Sequence, residues 1–438
     1  MKSIPTKCGC LAVLAIAWFC VAGAADTPGT PFFFRDGDRV VMMGDSITEQ
    51  YLYSTYVELW TLTRFPAWNI TFRNVGIGGD RSPGGNSRFA RDVLPQHPTA
   101  MTVDFGMNDG GYGGFSDAAF RNYTNGLQGI ADQARSNQIR VAWVTPQPVE
   151  KKENGPAIAG YAATLEQFAE GVKLIAAANH GTFVDQFHPY LQVMEKARVS
   201  DPMLRIMGGD AVHPGPPGQA LMAASILQAM SFPPLVSAVE IDVAQMKVVK
   251  TEQCQVTDLK TGTNSVILFQ QLDAALPFFP EQAESILQWA QILQELNVYG
   301  LKVTGLKPGS YEVRLGGKAV TRTTDKELAQ GINLSAAALS KGPVAAQVKA
   351  VVAAVEAKNR YFHERIFRGV TLAACSIPDF VENGKELTEK INAQRASAFT
   401  QRMAEMPKYD EAIRKALIIE PHSVELVWSD PTEGHKGL

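Results

Sequence analysis

Four short stretches of this sequence carry the residue types that ester hydrolysis requires. They are Gly44-Asp45-Ser46-Ile47-Thr48, "NVGIGGD" with Gly79, "FGMNDGG" with Asn108, and "GGDAVHPG" with Asp210 and His213. A serine hydroxyl is a weak nucleophile at neutral pH and needs an adjacent base. His213 can accept its proton, and Asp210, three residues earlier, can hold the imidazole in the required tautomer. We therefore predict a catalytic triad of Ser46, His213 and Asp210.

The oxyanion that forms when a serine attacks an ester needs hydrogen-bond donors held ready for it. We predict three such donors: the backbone amides of Ser46 and Gly79, and the side-chain amide of Asn108. Glycine at position 79 lets a bare backbone N–H approach the substrate closely. Each donor of this kind typically lowers the barrier by about 2.7–4 kcal/mol.

Charged residues beside these groups have supporting roles. We predict that Asp45 orients the nucleophile loop by hydrogen bonds and that Asp109 fixes the loop of Asn108. Asp80 and Arg81 directly follow the oxyanion glycine. These two residues either contact the substrate or form a salt bridge within the loop, and the sequence leaves both alternatives open.

Each signal has a simpler explanation when it is taken alone. Ser46 could only cap the following helix, and Asn108 could be a loop residue that bonds its own backbone. The Asp210-to-His213 spacing is short and common. Their occurrence together, each beside the right kind of element, favours an active hydrolase over a relative that binds without cleaving.

Strand and helix patterns alternate from Arg39 to about Met230. Apolar runs such as "RVVMM", "AMTVDFG" and "RVAWVTP" are typical of buried parallel strands, and segments with helical spacing separate them. The alternation predicts a doubly wound α/β fold. Three of the four stretches follow strands and the fourth precedes the last helix, so this fold brings them together at the carboxyl edge of the sheet.

The pattern changes after "SFPPLVS" at 231–237. Runs such as "AVEIDV" and "MKVVKTEQCQVTDL" are typical of antiparallel strands, and "EQAESILQWAQILQELN" of one amphipathic helix. Helices dominate beyond Asp325. We predict a signal peptide at 1–25, a hydrolase domain at 30–234, a strand-rich accessory region with one helix at 235–325, and a helical C-terminal region at 326–438.

The four stretches resemble the motif blocks of the GDSL, or SGNH, hydrolase family. The matching residues are Ser46 in "GDSIT", Gly79 in "NVGIGGD", Asn108 in "GMND", and His213 with Asp210 in "DAVHPG". One departure is Ile47, where the family name has leucine. The resemblance covers roughly residues 36–230. It implies a flavodoxin-like three-layer α/β/α sandwich and esterase activity without a metal or other cofactor.

Composition and the N-terminus narrow the class of protein. A chain of 438 residues is expected to form two or three domains. A net charge of −3 without basic runs argues against a nucleic-acid partner.

The N-terminus has the pattern of a cleaved signal peptide rather than a membrane anchor. It contains Lys2 and Lys7, then an apolar run, then small residues at 22–26. We expect a secreted or periplasmic protein without a membrane span after cleavage.

The cysteines leave one question open. Three of the five lie in the predicted leader, which leaves Cys254 and Cys375. In an exported protein this pair could form one disulfide, but two unrelated thiols fit the sequence equally well. The cysteines and histidines show no zinc-ligand spacing.

These observations predict an exported serine carboxylester hydrolase that works through an acyl-enzyme. We expect it to remove acetyl or other short acyl groups from carbohydrate, presented as a small-molecule or polysaccharide ester. Three points favour this substrate. The protein is expected to be exported, members of the family it resembles often deacetylate polysaccharides, and the first domain lacks the long apolar lid expected of an enzyme for bulky lipids. A lysophospholipase or broad short-chain esterase is the alternative among enzymes. A non-catalytic carbohydrate-binding protein with a degenerate hydrolase domain is the alternative of another class. The oligomeric state stays open.

Overall fold

A computed structural model describes residues 31–150, 160–202, 204–262, 266–373, 377–378 and 380–429. The predicted signal peptide and Cys375, half of the possible disulfide, lie outside these residues. Across the described ranges, no helix combines the length and apolar character that crossing a bilayer requires.

A five-stranded parallel sheet forms the centre of the N-terminal half. Its strands are β1 (Arg39–Gly44), β2 (Thr71–Asn74), β3 (Ala100–Asp104), β4 (Arg140–Val144) and β5 (Thr182–Val184). They stand in the order β2-β1-β3-β4-β5, and every neighbouring pair is parallel. Both faces of β1 are buried, which explains its unbroken apolar run.

Helices alternate with these strands along the chain and cover both faces of the sheet. They are α1 (Ser46–Glu49), α2 (Tyr53–Arg64), α3 (Ser82–Asp92), α4 (Asp117–Ser136), α5 (Tyr161–Ala178), α6 (Phe187–Arg198) and α7 (Pro216–Ala229). Val40 and Met42 of β1 belong to the core formed with α2 and α7. Val41 and Met43 point the other way, into the core formed with α3 and α4. The predicted three-layer α/β/α sandwich is confirmed.

Two further sheets make up the strand-rich region. Their strands are β6 (Leu235–Asp242), β7 (Lys247–Glu252), β8 (Cys254–Thr261), β9 (Ile267–Asp273), β10 (Val298–Thr304), β11 (Ser310–Leu315), β12 (Lys318–Thr324), β13 (Ile332–Asn333) and β14 (His422–Ser429). One sheet has the order β13-β10-β6-β7 and the other β12-β11-β14-β9-β8. The pairing is antiparallel as expected, except that β6 and β10 are parallel. Their long connection, which contains β7 to β9, makes that direction possible.

Two strands, the short β13 and the longer β14, come from the region that the sequence pattern assigns to helices. β14 lies between β11 and β9 in the middle of its sheet. Val424 and Leu426 are buried and alternate with more exposed neighbours, which is the period of a half-buried strand. The chain therefore returns to the strand-rich region after its last helix.

The segment expected to form one helix over 281–297 is divided in two. Glu281–Gln288 is a 3₁₀ helix, and α8 covers only Ile292–Leu296. Ala283 and Ile286 are both buried three positions apart, which suits the three-residue turn of a 3₁₀ helix.

Five helices belong to the C-terminal part of the described chain. The short helices α9 and α10 lie on either side of β13 in the sequence, and the three longer ones follow them and precede β14. Their bounds are α9 (Asp325–Gln330), α10 (Ser335–Ser340), α11 (Pro343–Tyr361), α12 (Gly384–Met403) and α13 (Met406–Ala416), with a π-helical segment at Phe362–Thr371. This part of the chain packs against the α/β sandwich, where Arg73 of β2 pairs with Asp410 of α13 at 3.2 Å.

A buried ion pair joins α11 to α2. The ammonium group of Lys358 contacts the Glu58 carboxylate and donates to the carbonyl oxygen of Phe72 at 3.1 Å. Asn359 donates to the other Glu58 oxygen and to Thr55 Oγ1, both at 3.1 Å. Burial lowers the pKa of Lys358, and the neighbouring carboxylate opposes that shift. Each charge is tolerated in this interface only because the other is present.

We predict that Lys358→Met lowers the free energy of unfolding by about 3–5 kcal/mol, because it leaves the Glu58 carboxylate buried and unpaired. The double variant Glu58→Gln with Lys358→Met should recover much of that loss. Urea denaturation at pH 7 measures both. Lys349→Met, which removes an exposed lysine from the same helix, is the control and should cost less than about 1 kcal/mol. A double variant no more stable than Lys358→Met would contradict the prediction.

Candidate active site

Ser46 is the first residue of α1, directly after β1. The cap of this helix is Asp45, whose Oδ1 accepts a hydrogen bond from the Ile47 amide at 2.9 Å. Ser46 Oγ lies 2.9 Å from His213 Nε2 instead. The capping role considered for Ser46 therefore belongs to its neighbour, and the serine hydroxyl faces a histidine from 167 residues further along the chain.

Asp210 and His213 project from one tight turn before α7. Asp210 Oδ1 accepts from the amides of Val212 and His213 at 2.8 and 2.7 Å, and its Oδ2 lies 3.0 Å from His213 Nδ1. Gly208 and Gly209 both have φ of +65°, and a Cβ on Gly209 would lie 2.1 Å from the carbonyl oxygen of His213. Glycine at these positions permits the turn that aims the imidazole at the serine.

The electrostatic surroundings keep Asp210 ionised. Partial burial raises its pKa, but the hydrogen bonds from the His213 and Val212 amides and the adjacent imidazole together lower it further. The net pKa of Asp210 lies below its ordinary value. An ionised carboxylate on Nδ1 stabilises the imidazolium that forms when Nε2 takes a proton.

Gly79 lies in an exposed loop that runs from the end of β2 past α1. Its φ is +74°, and a Cβ would meet open space, so the requirement for glycine is conformational. Within the described residues, the Gly79 amide has no protein acceptor. A Cβ on the preceding Gly78 would lie 4.0 Å from Ser46 Cβ, so this loop borders the serine.

Asn108 connects the serine loop to the Gly79 loop. Its Nδ2 donates to the carbonyl oxygen of Asp80 at 3.0 Å and to Asp45 Oδ2 at 3.3 Å. The hydroxyl of Tyr112 donates to Asn108 Oδ1 at 2.7 Å, which fixes the orientation of the amide. The structure thus brings the loops of the three expected oxyanion donors together at one place.

The two charged residues after Gly79 differ in their surroundings. Asp80 Oδ2 accepts from Arg88 Nε at 2.6 Å in an ion pair that is largely buried. Its Oδ1 accepts from the backbone amide of Arg81, whose side chain is exposed. Asp80 therefore makes a salt bridge within this part of the fold, which is one of the two alternatives considered for it.

Asp109 joins the loop after β3 to the start of α3. Its Oδ1 accepts from the amide and the hydroxyl of Ser82 at 2.9 and 2.8 Å, and its Oδ2 accepts from the Gly106 amide at 3.1 Å. These bonds tie the loop that carries Asn108 to the start of α3. They are the kind of contact that a loop-supporting residue makes.

This geometry sits in a region that matches a known protein family. The model of the GDSL-like lipase/acylhydrolase family matches residues 42–221, which include Ser46, Gly79, Asn108, Asp210 and His213. Residues 42–221 form a domain of this family. This part of the chain is therefore a GDSL-like lipase/acylhydrolase domain, as the motif blocks indicate.

Individual relatives of this chain either cover its GDSL-like domain or extend over nearly all of it. An acetylxylan esterase of Geobacillus stearothermophilus is 23% identical over 219 residues, which are 45% of this chain and 95% of that protein. A crystal structure of the acetylxylan esterase Axe2 from the same organism covers 45% of this chain and 96% of its own, at 23% identity and a TM-score of 0.39. A gut microbial diltiazem-metabolizing enzyme covers 91% of this chain and 99% of its own, at 24% identity and a TM-score of 0.77. The last structure shares the fold of nearly the whole chain.

One residue that supports the GDSL site has no motif signal. Gln219 of α7 is fully buried; its Nε2 donates to Gln50 Oε1 at 2.7 Å and to the Pro214 carbonyl oxygen at 3.0 Å. Its Oε1 accepts from the Tyr53 amide at 2.9 Å. Gln219 thereby links the histidine loop to the end of the serine helix. A polar residue in the apolar sequence "PPGQALMAASIL" was the available clue.

The carboxyl groups beneath the site are buried at a cost to the folded state. Burial raises the pKa of Asp45 from its ordinary 3.8 to about 7, and hydrogen bonding to the Ile47 amide only partly offsets this. Burial also raises the pKa of Asp109 to about 6 and that of Asp104 well above its ordinary value. Each of these groups holds its proton to a higher pH in the folded protein than in the unfolded chain.

We predict that Asp45→Asn weakens the fall in stability between pH 5 and 8. Because the folded pKa is raised, Asp45 favours the folded state most below about pH 4, and that contribution is lost as the pH rises through about 7. Asparagine keeps the capping oxygen and does not titrate. Urea denaturation at pH 5 and pH 8 gives the change in unfolding free energy for each protein. Asp132→Asn, at an exposed position, should keep the parental difference, and an unchanged difference in Asp45→Asn would contradict the prediction.

Proposed function

We propose that this chain is a serine carboxylester hydrolase that uses Ser46, His213 and Asp210 as a catalytic triad. The observation that carries the proposal is the continuous series of contacts from Ser46 Oγ to His213 Nε2 and from His213 Nδ1 to Asp210. The Ser46 to His213 distance of 2.9 Å is within the range for direct proton transfer from a nucleophile to its base.

The first half of the reaction builds an acyl-enzyme. Ser46 Oγ attacks the ester carbonyl carbon while His213 Nε2 takes the hydroxyl proton, and the carbonyl electron pair moves onto oxygen. The tetrahedral intermediate collapses, the bond to the alcohol oxygen breaks, and the proton on His213 passes to the leaving alcohol. Asp210 holds the imidazole and stabilises its charged form.

The second half returns the enzyme to its starting state. Water attacks the acyl carbon and gives its proton to His213, and the collapse of the second tetrahedral intermediate releases the carboxylic acid. The proton then returns to Ser46 Oγ. The same donors serve both intermediates: the amides of Ser46 and Gly79 and the side chain of Asn108.

We further propose acetyl or another short acyl group as the part removed and carbohydrate as the alcohol. A sequence relative that aligns with 45% of this chain is an acetylxylan esterase. The residues beside Ser46 are small or polar, with Gly78 next to its Cβ and Asn108 close by. Such a site suits a compact acyl group and a hydroxyl-rich alcohol. The N-terminal pattern of a signal peptide supports action outside the cytoplasm.

We predict that Ser46→Ala and His213→Ala each lower kcat for p-nitrophenyl acetate by at least about 10⁴-fold. The matched control is His188→Ala, because His188 pairs with Asp185 at the same three-residue spacing, with Nδ1 2.7 Å from the carboxylate. That variant should keep parental activity. Labelling of the parent by a fluorophosphonate, and its loss in Ser46→Ala, separates a hydrolase from a carbohydrate-binding protein. Full activity in His213→Ala would place the base elsewhere.

We predict that Asn108→Ala lowers kcat by about 10²–10³-fold with little change in KM, because its amide acts on the transition state. Steady-state kinetics with p-nitrophenyl acetate give both constants. A loss confined to KM would assign Asn108 to substrate binding and remove it from the oxyanion hole.

We predict that kcat/KM falls from acetate to butyrate to octanoate esters of p-nitrophenol, because the small groups beside Ser46 provide little apolar surface for a long chain. Acetylated xylo-oligosaccharides provide the test of the alcohol, with acetate release as the measured quantity. A rate that rises with chain length would favour the lysophospholipase alternative instead.

A further inference from the structure

The π-helical segment at Phe362–Thr371 contacts the rim of the candidate active site. It lies more than 140 residues beyond the matched family region. Arg368 of this segment donates through Nε to Glu49 Oε1 at 2.9 Å, and its Nη2 contacts the same oxygen. Glu49 is the last residue of α1, the helix that begins with Ser46. An arginine 319 positions away is therefore attached to the serine helix.

Glu49 passes this contact on to the Gly79 loop. Its second oxygen, Oε2, accepts from the Gly78 amide at 2.7 Å. One carboxylate thus joins three elements: the serine helix that carries it, the arginine of the π-helical segment, and the residue before Gly79. The Glu49 side chain is only 14% exposed, whereas that of Arg368 is 58% exposed. The arginine covers the carboxylate from the solvent side.

The same segment also contacts the base of this loop. The His363 ring packs edge-on against Tyr51 at a centroid distance of 4.8 Å. The Tyr51 hydroxyl donates to the carbonyl oxygen of Asn74 at 3.0 Å, and Asn74 Oδ1 accepts from the Gly76 amide at 2.9 Å. The π-helical segment is therefore connected to both ends of the 74–79 loop, through Tyr51 at one end and Glu49 at the other.

The base of the loop is held by β1, because the amides of Val75 and Ile77 donate to the carbonyl oxygens of Met42 and Gly44, and only its tip depends on support from elsewhere. Gly78 and Gly79 are exposed, and Gly79 adopts φ of +74°. Glycine-rich backbone loses much conformational entropy on ordering. A donor serves an oxyanion well only if it is held in place before the reaction, since reorientation during the reaction adds to the barrier.

We propose that Arg368 and Glu49 are positioning residues that hold the Gly78–Gly79 peptide in place for the oxyanion. The inference rests on the proposed function, because it concerns the Gly79 amide of that same site. It assigns a catalytic purpose to the C-terminal helical region: the region completes the oxyanion hole from outside the hydrolase domain. Neither residue contacts the reacting atoms, so their effect is on the rate of turnover and not on substrate affinity.

Kinetics of Arg368→Ala in the full chain provide the test. We expect kcat for p-nitrophenyl acetate to fall by about 3- to 5-fold, the upper part of the range for a partly exposed ion pair, with KM within about two-fold. Arg368→Lys should recover part of kcat because it restores the charge. Arg365→Ala, an exposed arginine of the same segment, should keep the parental kcat. Parental kcat in Arg368→Ala, or an equal loss in Arg365→Ala, would overturn the proposal.

Two further measurements separate positioning from general destabilisation. Hydrogen exchange of the peptide spanning 75–81 should speed up in Arg368→Ala and not in Arg365→Ala, at unchanged Tm. The effects of Glu49→Gln and Arg368→Ala on kcat should be strongly non-additive, because they break one network. Additive effects on kcat would contradict the positioning role of the two residues. Ser46→Ala, measured beside these variants, separates the proposed function from the positioning role. Activity retained in Ser46→Ala would contradict the proposed function. Activity lost in Ser46→Ala but kept in Glu49→Gln and Arg368→Ala would contradict only the positioning role.

Discussion

The parallel register of β1 with its two neighbours is the constraint on which the site depends. Met42 pairs with Asn74 and Gly44 with Asp104, so three strands end at nearly the same level of the sheet. A Cβ on Gly44 would lie 2.1 Å from Thr48 Oγ1 and 2.6 Å from the Asp104 carbonyl oxygen. Only glycine lets the chain turn so closely from β1 into the serine helix. The three loops that follow these strands are consequently neighbours, and each contributes one part of the site.

Buried polar groups turn this neighbourhood into a defined geometry. Asp45 contacts both the serine helix and Asn108, and Asp109 contacts both the Asn108 loop and Ser82. Burial makes these carboxyl groups harder to ionise, which costs stability at neutral pH. In return the loops are linked by hydrogen bonds that a purely apolar site would lack. Carboxyl pKa values raised by burial are often found at functional sites, although ion-pair networks in other places can shift pKa values too.

The C-terminal helices are integrated into this arrangement. Their contacts with the sandwich fall on α2 through Lys358, on β2 through Arg73 and Asp410, and on α1 through Arg368. The helical region is attached to the strand-rich sheets on both sides in the sequence, because β13 precedes its longer helices and β14, in the middle of the other sheet, follows them. Its charged side chains meet charged partners on the sandwich, and these pairs restrict how the helices can sit on it. The hydrolase domain thus receives support from residues far outside its own motif region.

Local signals in the sequence determined the α/β fold of the first half and the residues that meet there. Apolar runs indicate buried strands, and parallel strands place the loops after them at one edge, so the closeness of the Ser46 and Asn108 loops follows from the order of the elements. His213 lies just before the last helix of the sandwich, which lies in the core beside β1. The sequence did not reveal that β14 lies in the middle of a sheet. The alternation of buried and exposed residues in β14 was visible, but the residues of a strand do not specify which other strands it pairs with. Nor did it reveal Gln219 or the contact between Arg368 and Glu49. The contacts of Gln219 with Gln50 and of Arg368 with Glu49 join side chains 169 and 319 positions apart. Contacts of this kind produce no periodic pattern in the sequence, so only the tertiary structure decides them.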